Sequence, residues 1–300
     1  MRSNPLRPPS FSLRPKEFHK GQAGRLLVVA GSKLYSGAPR LVGVGALAVG
    51  AGLVRVIVPE SIRAEVAGED PAMMITGVRE TMSGYMAWPA AKTILASAAE
   101  ADAVVLGPGL GAHPDTRALA LRLYREIDAP MVIDADALTA LAGEDLGEAA
   151  GARVFTPHPG EAATLLGGDP TDVQQEREAA VQDLRNLLGG VVVLKGHGTL
   201  VFDGAQMLVN PTGNPGLAVG GSGDVLAGMI GGFLVQGLPP MGAACAGVFI
   251  HGEAADAASQ DTGQRGLTPI ELLRCIPSAL SARERREGGG GQRRRRGRSG

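Results

Sequence analysis

The sequence predicts an α/β domain with a doubly wound, mainly parallel β-sheet and helices on both faces. Short apolar runs rich in β-branched residues recur along the chain, as at 25–30, 53–59 and 191–195. They are continuous rather than alternating, which is the pattern of strands covered on both faces. Each is followed by a loop and then a helical pattern, and that alternation builds a parallel sheet.

Taken in order, residues 1–20 are polar and punctuated by prolines, and they are expected to form a flexible N-terminal segment. The first strand is predicted at 25–30, ending at Gly31-Ser32. Ser36-Gly37-Ala38-Pro39 suits a helix start. Leu41, Val42, Val44, Leu47, Ala48 and Val49 then continue a helix apolar on every side, and such a helix is buried. Further strands are predicted at 53–59, 103–106, 131–134, 153–156 and 191–195. Residues 143–151 read as a surface connection, and neither a repeat nor a linker divides the body. A single domain is therefore assigned to 21–287, with ligands at the carboxyl ends of its strands. The Gly/Arg-rich stretch 288–300 lacks apolar residues and is expected to be disordered.

Composition narrows the function classes. The formal net charge is −1, but from Arg283 onward eight arginines face only Glu284 and Glu287, which leaves +6 there and −7 in the remainder. A body of that charge is not expected to bind nucleic acid. Cys245 and Cys275 lie in apolar surroundings without metal-ligand spacing and are read as buried packing residues of a reducing compartment. No apolar segment of signal-peptide length precedes Lys20, and the uncharged run 41–54 is well short of the ~20 residues that span a bilayer. Arg55 closes that run. The expectation is a cytoplasmic protein without membrane contact.

The chemistry gathers around the stretch from Asn210 to Leu226, which passes from glycine and proline into an apolar run. Gly221-Ser222-Gly223 is predicted to open a helix there, so unpaired N–H groups and the helix dipole favour an anion. Asp224 sits where a base reaches a substrate hydroxyl; the plainer reading makes it an ordinary first-turn acid. Gly107-Pro108-Gly109-Leu110-Gly111 follows a strand and brings backbone N–H groups toward a phosphate or flat ring, unless it is only a tight turn. Asp134 is a candidate buried carboxylate, and Asp136 reads as the N-cap of the next helix. In Thr156-Pro157-His158-Pro159-Gly160-Glu161, His158 is a candidate ligand hydrogen-bonder and Glu161 a carboxylate able to orient Mg²⁺ through water. The plainer reading is a loop histidine and a first-turn acid. Lys195-Gly196-His197-Gly198-Thr199 sets a cation and a pliable loop at another strand end, suited to nucleotide phosphates. His251, within an apolar helical run, reads as a packed, hydrogen-bonded histidine.

Together and in this order, Ser36-Gly37-Ala38, the 107–111 loop, Asp134 to Leu138, the His158 and Lys195 motifs and the 214–224 stretch resemble the ADP-dependent NAD(P)H-hydrate dehydratases, ribokinase-like proteins, over about residues 21–278. The resemblance implies a ribokinase-like fold and a lyase that repairs hydrated NADH or NADPH (NADHX, NADPHX), with ADP as co-substrate and AMP and phosphate as products. By motif position it implies Ala38, Gly111, His158 and Asp224 at the hydrate, with Asp224 as base. It implies Lys195, Gly196, His197, Gly198, Thr199 and Gly223 at ADP, an anion hole at Gly221, Ser222 and Gly223, and Mg²⁺ near Glu161. A homotetramer is also implied, and the epimerase domain fused to some relatives is not expected here. Ser222 stands where threonine is frequent in the family, and His158 where related kinases carry asparagine. The alternatives are a kinase of the same superfamily acting on a vitamin precursor or sugar, and a non-catalytic nucleotide sensor.

Overall fold

The computed structural model describes residues 3–296 apart from 12 and 69, and for 286–296 it describes the backbone alone. Ten strands form one sheet: β1 (Asn4–Pro5), β2 (Arg25–Val29), β3 (Leu53–Pro59), β4 (Met73–Val78), β5 (Ala103–Leu106), β6 (Met131–Ile133), β7 (Arg153–Phe155), β8 (Val191–Leu194), β9 (Leu200–Phe202) and β10 (Met207–Val209). Their order is β1-β10-β9-β8-β7-β6-β5-β2-β3-β4. Pairing is parallel from β8 through β4, whereas β8, β9 and β10 form an antiparallel meander. From β2 the chain winds outward to β3 and β4, then returns to β5 on the other side of β2. The carboxyl ends of β2 and β5 therefore flank a topological switch point, where a doubly wound sheet leaves a crevice.

Continuous apolar strands follow from burial on both faces. In β2, Leu26 and Val28 enter one core and Leu27 and Val29 the other; β8 divides Val191 and Val193 from Val192 and Leu194 in the same way. The first core is closed by the helices Gly37–Ala48, Ser222–Val235 and Pro240–Thr262, the second by Ala91–Ala98, Pro114–Glu126 and Arg177–Leu188.

Helix Ser222–Val235 is buried along nearly its whole length and packs closely on Gly37–Ala48. Two glycines permit the approach. A Cβ on Gly228 would overlap the Val42 carbonyl oxygen, and one on Gly45 would lie 2.7 Å from that of Val225. Dense small-residue packing thus fixes where the helix, and Asp224 in its first turn, meets the sheet.

Among the described residues both ends of the chain carry secondary structure. Ahead of β2, β1 extends the sheet beside β10, and Leu6 and Phe11 are buried in the first core. Apolar side chains among the prolines provide the anchor. The last helix is Pro269–Arg296, so the stretch expected to be disordered from 288 is helical as far as Arg296, while 297–300 lie outside the described residues. Extending a helix already docked by Leu272 and Ile276 costs far less than nucleating one.

Candidate active site

The helix Ser222–Val235 begins at the switch-point end of the sheet. Its N-cap, Gly221, has φ +91°, and a Cβ there would sit 2.5 Å from Leu41 Cδ1, so both conformation and space require glycine. The N–H groups of Gly221, Gly223 and Asp224 have no backbone acceptor among the described residues. Ser222 departs from the expected set of three anion-hole donors: its N–H is taken by the Val219 carbonyl at 3.3 Å and its hydroxyl donates to that of Leu217 at 2.8 Å. The preceding turn folds back on itself and consumes both groups.

Strand ends bring a buried charge cluster against this helix start. Lys195, just beyond β8, donates from Nζ to Asp134 Oδ1 at 2.7 Å and lies 3.6 Å from Glu161 Oε2. Thr156 Oγ1 donates to the same Asp134 oxygen at 2.7 Å. A Cβ on Gly223 would stand 3.4 Å from Lys195 Nζ, which places the ammonium beside the helix N-terminus. Burial alone would depress the lysine, but the carboxylates of Asp134 and Glu161 prevail and hold it above its ordinary value. Glu161 is shifted upward, first by burial and then by Asp134, with Lys195 and the His158 N–H opposing.

Asp224 feels the same cluster. Burial, followed by the negative charge of Asp134, pushes its carboxyl up to about 7; Lys195 restrains the rise, while Asp136 and Glu161 add to it. A carboxyl near neutrality is poised to exchange protons at physiological pH.

A second wall stands beside it. Asp136 Oδ2 accepts from Gly111 N–H at 2.8 Å, and Asp136 is the first residue of its helix rather than the N-cap expected for it. The cap position falls to Ala135, whose φ of +50° makes it the one positive-φ non-glycine among the described residues. That strained turn sends Asp134 to Lys195 and Asp136 to the glycine loop. Ala38 abuts Gly109, where a Cβ would lie 3.0 Å from its own, and Tyr85 covers Gly111 with its ring stacked on His113 at 5.5 Å between centroids.

On the other side of Lys195 opens a cavity of about 390 Å³. Lys195 to Thr199, Ser222 and Gly223 form its polar wall, and Leu217, Leu226 and Val248 its apolar one. Arg177 supports the Lys195 loop from below by donating to the Leu194 and Lys195 carbonyls at 2.9 and 3.2 Å. The 210–216 loop is tied to helix Pro240–Thr262: Asp256 accepts from Gly213 N–H and Asn214 Nδ2, both at 2.9 Å.

The structure thus brings Lys195, Glu161, Gly223 and Asp224 together, sets Gly196, His197, Gly198 and Thr199 around the cavity, and puts Ala38 and Gly111 on the neighbouring wall. His158 stands at the rim with 56% of its side chain exposed. Its Nδ1 accepts from the N–H groups of Gly160 and Glu161 while Glu161 Oε2 accepts from His158 N–H at 2.7 Å, a reciprocal helix cap. Cys245 is buried as expected, but Cys275 is only half-buried. Sequence reasoning missed Asp256 and Tyr85, which carry no motif, and the Lys195–Asp134 pairing, which spans 61 positions.

Among the described residues no group of three or more His, Cys, Asp or Glu is arranged to hold a metal ion. The Glu161 carboxylate beside Lys195 still fits a hydrated Mg²⁺, which needs only one or two carboxylates when phosphates complete its shell. No helix among the described residues is long and apolar enough to cross a membrane.

Comparison with known proteins places this geometry. The family model described as NAD(P)H-hydrate dehydratase matches residues 26–278. The ADP-dependent (S)-NAD(P)H-hydrate dehydratase of Neisseria meningitidis is 40% identical, over 85% of this chain and 84% of that protein. The bifunctional NAD(P)H-hydrate repair enzyme of Moorella thermoacetica is also 40% identical, over 87% of this chain and 50% of the relative, so the chain spans about half the length of such relatives. Among solved structures, the ADP/ATP-dependent NAD(P)H-hydrate dehydratase of Bacillus subtilis, co-crystallised with ATP/Mg²⁺, superposes with a TM-score of 0.79 at 29% identity, covering 92% of this chain and 95% of that one. A further solved chain at 26% identity is described as a ribokinase-like superfamily protein.

Proposed function

The chain belongs to the NAD(P)H-hydrate dehydratase family, and on that premise we propose that it returns the S-epimer of hydrated NADH or NADPH to the reduced nucleotide while converting ADP to AMP and phosphate. The hydrate is held by Ala38, Gly111, His158 and Asp224, and the nucleotide by Lys195, Gly196, His197, Gly198, Thr199 and Gly223. Asp224 removes the proton from the ring hydroxyl as that oxygen bonds to the β-phosphorus of ADP and the bond from that phosphorus to the bridging oxygen breaks, releasing AMP. The free N–H groups of Gly221, Gly223 and Asp224 face the charge that develops on the transferring group. The phosphorylated ring then expels phosphate, pushed out by the lone pair of the ring nitrogen, and the neighbouring ring carbon gives up a proton to water, the electron pair of that C–H bond restoring the ring double bond. Glu161 would hold Mg²⁺ through water, and the ion would supply neutralisation of phosphate charge. The reading includes a homotetramer and a cytoplasmic location.

The observation that supports this most is the place of Asp224: a carboxyl raised to about 7 in the first turn of helix Ser222–Val235, next to Gly223, which with Lys195 lines the cavity, and within the field of Asp136, which holds the Gly111 loop. The pH profile tests it. A base must be deprotonated, and this carboxyl stays protonated below about 7, so turnover is expected to rise through that pH and level off above it. A profile flat across neutrality removes Asp224 from the role.

A further inference from the structure

His251 is a residue that the reaction above does not use. It lies mid-way along helix Pro240–Thr262, is 7% exposed, and lines the cavity opposite the Lys195 loop. Its Nε2 is 2.9 Å from the Ser222 carbonyl oxygen. A carbonyl only accepts, so Nε2 carries the proton and Nδ1 presents a lone pair whenever the ring is neutral. The ring is neutral: burial, with Lys195 adding to it, pulls its pKa down to about 4 against the pull of the Ser222 carbonyl.

Nδ1 has no hydrogen-bond partner in the protein among the described residues. The fully enclosed side-chain polar atoms without partners are Ser32 Oγ and Arg153 Nε. His251 Nδ1 is not one of them, so it borders accessible space, and the space that His251 lines is the cavity. Its neighbours there are the apolar Leu226 and Val248, with the amide of Asn210 committed to the Thr212 and Val248 carbonyls at 3.0 and 3.3 Å. On this apolar side of the cavity, across from its polar wall, Nδ1 is a side-chain acceptor that the protein leaves unused, and an acceptor that a ligand covers without supplying a donor costs binding energy.

We infer that His251 Nδ1 is a specificity determinant of the nucleotide site, accepting a hydrogen bond from the bound nucleotide, either from the exocyclic amine of an adenine base or from a ribose hydroxyl. The inference rests on the cavity being the nucleotide site.

Calorimetry on the full chain tests it with ADP, 2′-deoxy-ADP, 3′-deoxy-ADP and the diphosphate of unsubstituted purine riboside, which lacks the amine. Wild-type protein is expected to bind one of the three analogues about three- to tenfold more weakly than ADP, and the analogue concerned names the donor. His251→Leu is expected to abolish that preference, and His251→Gln, which keeps an acceptor, to restore part of it. A merely structural histidine would weaken all four ligands together and leave their ratios intact. Should the leucine variant fail to fold, the ¹⁵N resonances of His251 in wild-type protein decide instead: Nδ1 is expected to resonate as an unprotonated acceptor and to shift when ADP is added. Unchanged ratios, or an Nδ1 resonance indifferent to ADP, overturn this inference alone. Failure of wild-type protein to bind ADP overturns it together with the nucleotide reading of the cavity.

Discussion

Asp224→Asn is expected to lower turnover by about 10²–10⁴-fold, the usual worth of a positioned general base, while leaving ADP affinity nearly unchanged. The amide is isosteric, so the helix start and its free N–H groups persist. Stability carries a second and opposite signature. The folded-state carboxyl is raised to about 7, chiefly by burial, so the fold tolerates its charge poorly. The stability linked to this proton is complete below the unfolded-state value near 4 and is lost as pH rises through about 7. The asparagine variant loses nothing on that account, and above neutrality it is expected to melt at a higher temperature than the wild type. A variant that is inactive but more stable marks a site residue whose charge serves chemistry at the expense of the fold. An inactive and less stable variant would instead mark a helix-capping acid.

Lys195→Met carries the largest expected cost to the fold. Asp134 is 1% exposed and Glu161 8%, and both rely on this ammonium. Removing one partner of a buried ion cluster costs about 3–5 kcal/mol, because the remaining charges are left uncompensated. Thermal or denaturant unfolding is expected to register that loss, and nucleotide binding to weaken with it. Lys195 also restrains the pKa of Asp224. In material that remains folded, the midpoint of the pH profile is therefore expected to move upward. An unchanged unfolding midpoint would show that the two carboxylates need no cation, which contradicts the cluster described here.

The parts of this architecture that were legible from sequence share a physical cause. β2, β3, β5, β6, β7 and β8 are covered on both faces, so each writes itself as an unbroken apolar run, and the predicted limits agree to within a residue. The start of helix Ser222–Val235 is legible because a left-handed glycine must precede an apolar helix there. β4, with a glycine and two methionines at the sheet edge, and β9 and β10, at three residues each, are too weakly patterned to stand out. β1 is a pair of residues held by the sheet edge rather than by propensity.

The site was legible in its residues and not in their pairings. Lys195 reads locally as a cation for nucleotide phosphates, and only the approach of β6 to β8 across β7 makes it the partner of Asp134 as well. Asp136 reads as a helix cap because its acceptor use, the Gly111 N–H 25 positions away, is a tertiary contact. For His251 the expectation of a packed, hydrogen-bonded ring is met, but an apolar helix gives no sign that one ring nitrogen faces a cavity.

The central claim is that this chain couples nucleotide cleavage to dehydration of the nicotinamide ring. The most direct measurement mixes the protein with hydrated NADH and Mg²⁺, adds ADP, ATP or no nucleotide, and follows the near-ultraviolet absorbance of the reduced ring alongside phosphate release. The account predicts an absorbance rise only when nucleotide is present, with one phosphate released for each ring restored and AMP accumulating from ADP. Nucleotide binding without any rise, or a stable phosphorylated product in place of the reduced ring, would contradict it and point to a kinase or a sensor on the same fold.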